Sequence, residues 1–177
     1  MTRRRLSREE ARARTRDAIL AEARAMFGAR GYRGATLSDI AEAAGYSKGA
    51  VYSNWPSKEA LFLELLDRQS EEEGEAGPGS RRPDLEPSTW ALATLEFFLE
   101  AVHDPEIRSA LAERYRETRV TLGSTLSGGR PDAPCATWSE IASITMAVGT
   151  GLIIQAAIDP TAVDPTLFTR LMDRLRD

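Results

Sequence analysis

Between Thr36 and Trp55 two helical stripes follow one another with almost no chain between them, and this constrains the fold more than any other feature of the sequence. Thr36 offers a hydroxyl to cap a helix whose apolar face is Leu37, Ile40, Ala41 and Ala44. Asp39, three residues on, sits near the positive end of that helix as in a capping box. Gly45 follows at once, Tyr46 comes next, and Ser47 can cap a third short helix running through Val51 to about Trp55, where Pro56 ends it. Gly45 supplies the small residue at the turn, and Ala41, Ala44 and Val51 fix the angle between the two helices. Lys48, Tyr52, Ser53 and Asn54 are left for the outer face of the second.

The rest of the chain carries the 3.6-residue period as well. From Thr15 to Arg30, Ile19, Ala23, Met26 and Phe27 make an amphipathic stripe, and Gly31 supplies a left-handed stop. Ser57 can cap a helix with Leu61, Phe62, Leu65 and Leu66 inward, fading near Gln69. Residues 71–88, rich in Gly, Pro and Glu and without apolar periodicity, are expected to be a flexible loop. Trp90, Leu92, Leu95, Phe98, Leu99 and Val102 predict the next helix. Asp104 and Pro105 open another, carrying Ile107, Leu111, Tyr115, Val120, Leu122 and Leu126 up to a breaker at Gly128–Pro134. A helix over Trp138–Ile158 follows, and Asp164-Pro165 starts a last one with Leu167, Phe168, Leu171 and Leu175 inward. No segment alternates with the period of a strand, so the expected fold is all-α. It divides into a basic N-terminal arm at 1–14, a three-helix module at 15–58, and a helical domain at 59–177 that a fourth helix joins to the module.

Charge separates along the same line. Residues 1–58 hold twelve Arg or Lys against six Asp or Glu, and 59–177 hold eleven against twenty-one, so a basic front meets an acidic body. A basic front of this kind suits a polyanion. The lone Cys135 cannot close an intramolecular disulfide, and with a single histidine, His103, a His/Cys metal site is excluded. No nucleophile motif with a partner His, phosphate loop or metal cluster is present, so neither an enzyme nor a cofactor is expected. The N-terminal arginines lack the apolar run of roughly 7–15 residues that an export signal needs. The Trp138–Ile158 stretch is long enough to test as a membrane span, but a buried helix is the better reading. A soluble cytoplasmic protein is expected.

A helix, a glycine turn and a short second helix make a helix-turn-helix, in which the second helix enters the major groove of DNA. The segment GATLSDIAEAAGYSKGAVYSNWPSKEALFLELLD resembles the DNA-binding module of the TetR family of bacterial transcriptional regulators. Thr36, Ile40-Ala41, Gly45, Ser47-Lys48-Gly49, Tyr52 and Pro56-Ser57-Lys58-Glu59 all stand in the family's order and spacing, over about residues 15–70. Trp55 departs from it, since the family more often has Phe there. The resemblance implies that Lys48 and Gly49 face base edges, Lys48 as a donor to guanine and Gly49 by letting the backbone approach a thymine methyl. Tyr52 would reach a phosphate or a base, with a core position as its alternative. Thr36, Ala50 through its backbone, Ser53, Asn54 and Lys58 would hold phosphates, and Ser47 is counted among the DNA-binding residues with them. Arg3, Arg4, Arg5, Arg8, Arg12, Arg14 and Arg16 could follow the flanking groove, or be a solvated tail.

The string AVGTGLIIQAAIDPTAVDPTLF resembles the C-terminal end of many family chains, which implies a homodimer through the helices at 138–158 and 165–176, with Gly149, Thr150 and Gly151 permitting close approach. The family's ligand-responsive members imply a small-molecule effector. Candidate lining residues are Trp90, Phe97, Phe98, Tyr115 and Trp138, with Glu96, Arg114 or Arg119 as polar anchors; His103 reads as a surface residue. The leading expectation is therefore a homodimeric repressor released from its operator by a ligand. The alternative is a DNA-binding regulator without a small molecule, controlled by a protein partner or by abundance.

Overall fold

In a computed structural model of the chain, residues 7–76, 87–131 and 136–159 are described, together with Thr161, Leu167, Arg170 and Arg174 singly. Among these residues every regular element is a helix: α1 (Arg8–Gly34), α2 (Leu37–Ala43), α3 (Lys48–Tyr52), α4 (Lys58–Ala76), α5 (Pro87–His103), α6 (Pro105–Ser127) and α7 (Trp138–Ile158). The expected last helix at 165–176 lies largely outside the described residues, as do Arg3, Arg4 and Arg5.

α1 starts two turns earlier than the apolar stripe suggests. Ser7 accepts from the Glu10 N–H (3.0 Å) while the Glu10 carboxylate takes the Ser7 N–H (2.7 Å), a capping box that turns the second half of the expected arm into helix. At the other end Gly31 breaks the helix at φ 72°, ψ 172°. The glycine is needed for this angle, and a Cβ there, 2.7 Å from the Glu96 carboxylate of α5, would in addition push the end of that flexible side chain aside. That carboxylate accepts the Arg33 N–H (2.9 Å), one of the backbone donors that the break exposes.

The loop expected at 71–88 is shorter at both ends, since α4 continues through 71–76 and α5 opens at Pro87, leaving 77–86 outside the described residues. Glutamates are good helix formers, and a helix already nucleated by an apolar face can run on through them without one. α6 opens on Asp104, which accepts from the N–H groups of Glu106 (2.8 Å) and Ile107 (3.1 Å), and it closes at Gly128 in the left-handed conformation.

The core is continuous from the first three helices into the body. Phe62 of α4 stands at its centre, with ring centroids 5.0 Å from Phe27, 5.1 Å from Tyr32, 5.1 Å from Trp90 and 4.7 Å from Phe97. Aromatic contacts of this kind add to the burial of the rings themselves, so α1, α4 and α5 are locked as one block. Tyr32 is buried in this cluster and its hydroxyl donates to Glu59 Oε1 (2.9 Å). Burial first, then that hydrogen bond and the nearby carboxylates, hold the hydroxyl far above the usual tyrosine range, so it stays a donor.

α7 is long and apolar enough to cross a membrane, and the expectation that it is buried holds on one side only. Ala142 and Thr145 are buried, whereas Ile144, Val148 and Ile158 are exposed. Among the described residues α5 and α6 pack against it, and a helix apolar all round cannot bury every side against these two.

Candidate nucleic-acid interface

The turn between α2 and α3 is built on Gly45, whose φ of 73° places it in the left-handed region, with nothing near enough to exclude a side chain on other grounds. Gly45 N–H donates to Glu42 O (3.0 Å) and Tyr46 N–H to Ala41 O (2.9 Å), which ends α2 and swings the chain into α3. Thr36 and Ser47 cap the two helices as expected, accepting from Asp39 N–H (3.2 Å) and Ala50 N–H (3.2 Å) respectively. Each hydroxyl uses an oxygen lone pair for the cap and keeps its proton for an outside acceptor.

α3 rests on one buried side chain, Val51, and turns Ser47, Lys48, Gly49 and Tyr52 outward. Tyr52 is 52% exposed, which rules out the core position that its neighbour Val51 occupies. At Gly49 an added Cβ would meet only Ser47 Oγ, at 3.8 Å, and φ is not positive there. Among the described residues nothing requires a glycine at this point, although glycine in a helix costs about 1 kcal/mol relative to alanine.

Three of the expected phosphate contacts are engaged within the protein. The Ala50 N–H goes to Ser47, and the Ala50 carbonyl accepts from Ser53 Oγ (3.0 Å) and Asn54 Nδ2 (2.8 Å), closing the C-terminal end of α3. Asn54 is half-buried, with its Oδ1 enclosed and unpartnered. Ser53 is exposed and its oxygen remains open to a donor.

The Lys58 ammonium donates to the carbonyls of Tyr32 (3.0 Å) and Ala35 (3.3 Å) and lies 4.3 Å from the Tyr32 ring centroid. It thereby ties the end of α1 to the start of α4. Beside it, burial pushes the Glu59 carboxyl up, but hydrogen bonds from its own backbone, Ser57 and Tyr32, with the Lys58 charge, more than offset this and hold it below the usual range. That contribution to stability is present at neutral pH and fades as the pH falls through the folded value. Lys58→Met should accordingly lower stability by about 1–2 kcal/mol, the scale of a charge-assisted hydrogen bond in a half-buried setting, as measured by urea unfolding. An unchanged unfolding midpoint would return Lys58 to a purely outward role.

An open groove runs beside Lys58, lined by Thr36, Leu37, Ser38, Tyr52, Pro56 and Ser57. It joins Thr36 and Tyr52, sixteen positions apart in the sequence, on one face. Ser38 and Ser57 are the additions here; both stand at or beside the start of a helix, where a small hydroxyl residue reads as a cap before it reads as a contact.

Of the arginines expected in the arm, Arg8, Arg12 and Arg14 are exposed along the first turns of α1. Arg16 is turned inward, its Nε donating to Glu64 Oε1 (2.9 Å) and its Nη2 to Oε2. The aromatic residues expected around a ligand also separate. Trp90 and Phe97 are in the core already described, with the Trp90 indole N–H donating to Gln69 (2.6 Å). Trp138 donates to the carbonyls of Arg130 and Pro131 at the turn before α7. Phe98 and Tyr115 face each other across α5 and α6, 6.0 Å between centroids, and burial pushes the Tyr115 hydroxyl up.

Residues 19–65 match the family of bacterial regulatory proteins of the tetR type, and residues 82–176, more than half of the chain, match the C-terminal region of BetI-type transcriptional repressors. The chain belongs to the TetR family. The HTH-type transcriptional repressor AcnR of Corynebacterium efficiens is 32% identical over 128 residues, covering 66% of this chain and 68% of AcnR. A TetR-family transcriptional regulator from Rhodococcus sp. superposes with a TM-score of 0.72 at 21% identity, over 93% of this chain and 100% of that one. A transcriptional regulator from Saccharomonospora viridis, solved in complex with choline, gives 0.61 at 18% identity, over 92% and 95%. Membership places the chain among DNA-binding regulators, not enzymes.

Proposed function

We propose that this TetR-family chain is a homodimeric transcriptional repressor that reads a two-fold DNA site through α3 and is released from it by a small organic molecule. The observation that carries the DNA reading is the outward face of α3: Lys48, Gly49 and Tyr52 exposed on a helix held from behind by Val51. Lys48 donates to guanine acceptors, the bare backbone at Gly49 admits a thymine methyl, and Tyr52, Thr36 and the Ser47 hydroxyl contact phosphates and set the register. Ser53 stays among the phosphate contacts; Ala50, Asn54 and Lys58 act by shaping the surface. Repression accords with the repressors named among its relatives, and a DNA-bound regulator works in the cytoplasm.

A five-residue recognition helix reaches few bases, so two copies reading two half-sites are needed for specificity. The exposed apolar side of α7 supports the second copy: Ile144 is 62% exposed, and among the described residues none approaches the place where a Cβ of residue 151 would stand. Ile144→Asp should convert a dimer in light scattering to a monomer and weaken operator binding at least about tenfold, because each half-site alone keeps only its own contacts. A variant that stays dimeric would move the interface off α7.

For the effector, support comes from the neighbour in complex with choline and from the Phe98–Tyr115 pair between α5 and α6, at the edge of the core. A ligand that prefers the non-binding arrangement of the two heads lowers operator affinity by the ratio of its affinities for the two states. Fluorescence anisotropy on the operator duplex, with a library of small organic molecules including quaternary amines, tests this. Release by a compound is the expected result, and binding that no compound releases would favour the regulator governed by a protein partner or by abundance.

A further inference from the structure

The recognition helix has too few residues to fix its own position, and the chain leaves it through Trp55, whose side chain is 2% exposed. A buried indole needs an acceptor for its N–H. Trp55 finds one in Glu64 of α4, at 2.6 Å from Oε2. The same carboxylate receives Arg16 of α1 through Nε and Nη2, and Arg68 Nε of α4 lies 3.7 Å from Oε1. The Arg16 guanidinium in turn covers the Trp55 ring, 4.7 Å from its centroid. One carboxylate, 19% exposed, thus joins α1, α4 and the end of the recognition segment.

We infer that Glu64 is a positioning residue for DNA recognition, which sets the placement of α3 on α1 and α4 through the indole N–H of Trp55 and the guanidinium of Arg16. The burial of Val51 and of the Trp55 ring holds α3 folded without the carboxylate; what the carboxylate adds is direction. An apolar contact tolerates sliding, whereas a bidentate guanidinium pair and an N–H bond to the same two oxygens do not. Base-edge hydrogen bonds depend on that placement, while phosphate contacts tolerate small shifts. This gives tryptophan at position 55 a reason that packing alone does not supply, because phenylalanine fills much of the same space but has no N–H.

The inference rests on the assignment of α3 as the DNA reader, and the experiment separates the two. Full-length wild-type protein selects duplexes from a random pool. Dissociation constants for the selected duplex and a scrambled one are then measured for wild type, Trp55→Phe, Glu64→Gln and Glu64→Leu, alongside thermal melts. Trp55→Phe and Glu64→Leu should each lower the ratio of specific to random affinity at least about tenfold, on the scale of one lost base contact, with random-DNA affinity changed less than about threefold. Combining the two should be no worse than Glu64→Leu alone, because both act through one bond. Glu64→Gln, which keeps an acceptor oxygen, should fall between wild type and leucine, and with Trp55→Phe it carries the test if leucine prevents folding. An unchanged ratio in Trp55→Phe and Glu64→Gln, or equal losses on both duplexes, would overturn the inference while leaving the DNA reader standing. A wild-type chain that enriches no sequence would overturn the reader assignment, and this inference with it.

Discussion

Gly49→Leu should leave the melting temperature at or above the wild-type value and lower operator affinity about a hundredfold, the equivalent of one or two good base contacts. The two expectations come from one observation. Among the described residues a Cβ at position 49 meets only Ser47 Oγ at 3.8 Å, so leucine is accommodated, and leaving glycine for a good helix former stabilises α3 by up to about 1 kcal/mol. On the outside, the added side chain occupies the space through which the backbone approaches DNA. Thermal melting followed by circular dichroism and anisotropy on the selected duplex measure the pair. Lower stability with intact affinity would mean that Gly49 serves the fold and not the DNA.

Phe62→Ala should destabilise the protein by about 3–5 kcal/mol, the range for truncating a buried aromatic, and lower the melting temperature by about 10 °C for a chain of this size. Phe62 touches the rings of Phe27, Tyr32, Trp90 and Phe97, so the cavity opens where the front helices meet α5. Because that core is continuous, the loss should appear as one transition in which the front module and the body melt together. Calorimetry distinguishes the outcomes: a second transition, with part of the helix content surviving the first, would mean that the reading module folds separately from the body.

The elements that the sequence made legible are those whose signals are local. Thr36, Ser47, Ser57 and Asp104 each cap a helix within three residues of themselves, and Gly45 and Gly128 adopt the positive φ that their neighbours' patterns call for. A strong apolar stripe could mislead even there. The stripe carries no sign of Ser7 and Glu10, about three turns before its first residue, Ile19, nor of the glutamates that extend α4. Long-range partners were not legible at all. Lys58 has the position and charge of a phosphate contact, but its acceptors are carbonyls 26 and 23 residues away. Arg16 sits among arginines suited to DNA, but its carboxylate is 48 residues distant. Whether a cation on a helix turns in or out depends on which unpaired oxygen the fold brings near, and spacing along the chain does not contain that. Trp55 was visible as a departure from the family's phenylalanine, yet the reason for it needed Glu64 in place.

Sequence reading by α3 is measured by anisotropy of the full chain on its selected duplex and on a scrambled duplex of equal length, for wild type and Lys48→Ala. Wild type should bind the selected site tightly and the scrambled one more weakly, and Lys48→Ala should lose about 1–3 kcal/mol on the selected site alone. Equal affinities for the two duplexes in the wild type, or equal losses on both in Lys48→Ala, would contradict sequence reading by α3.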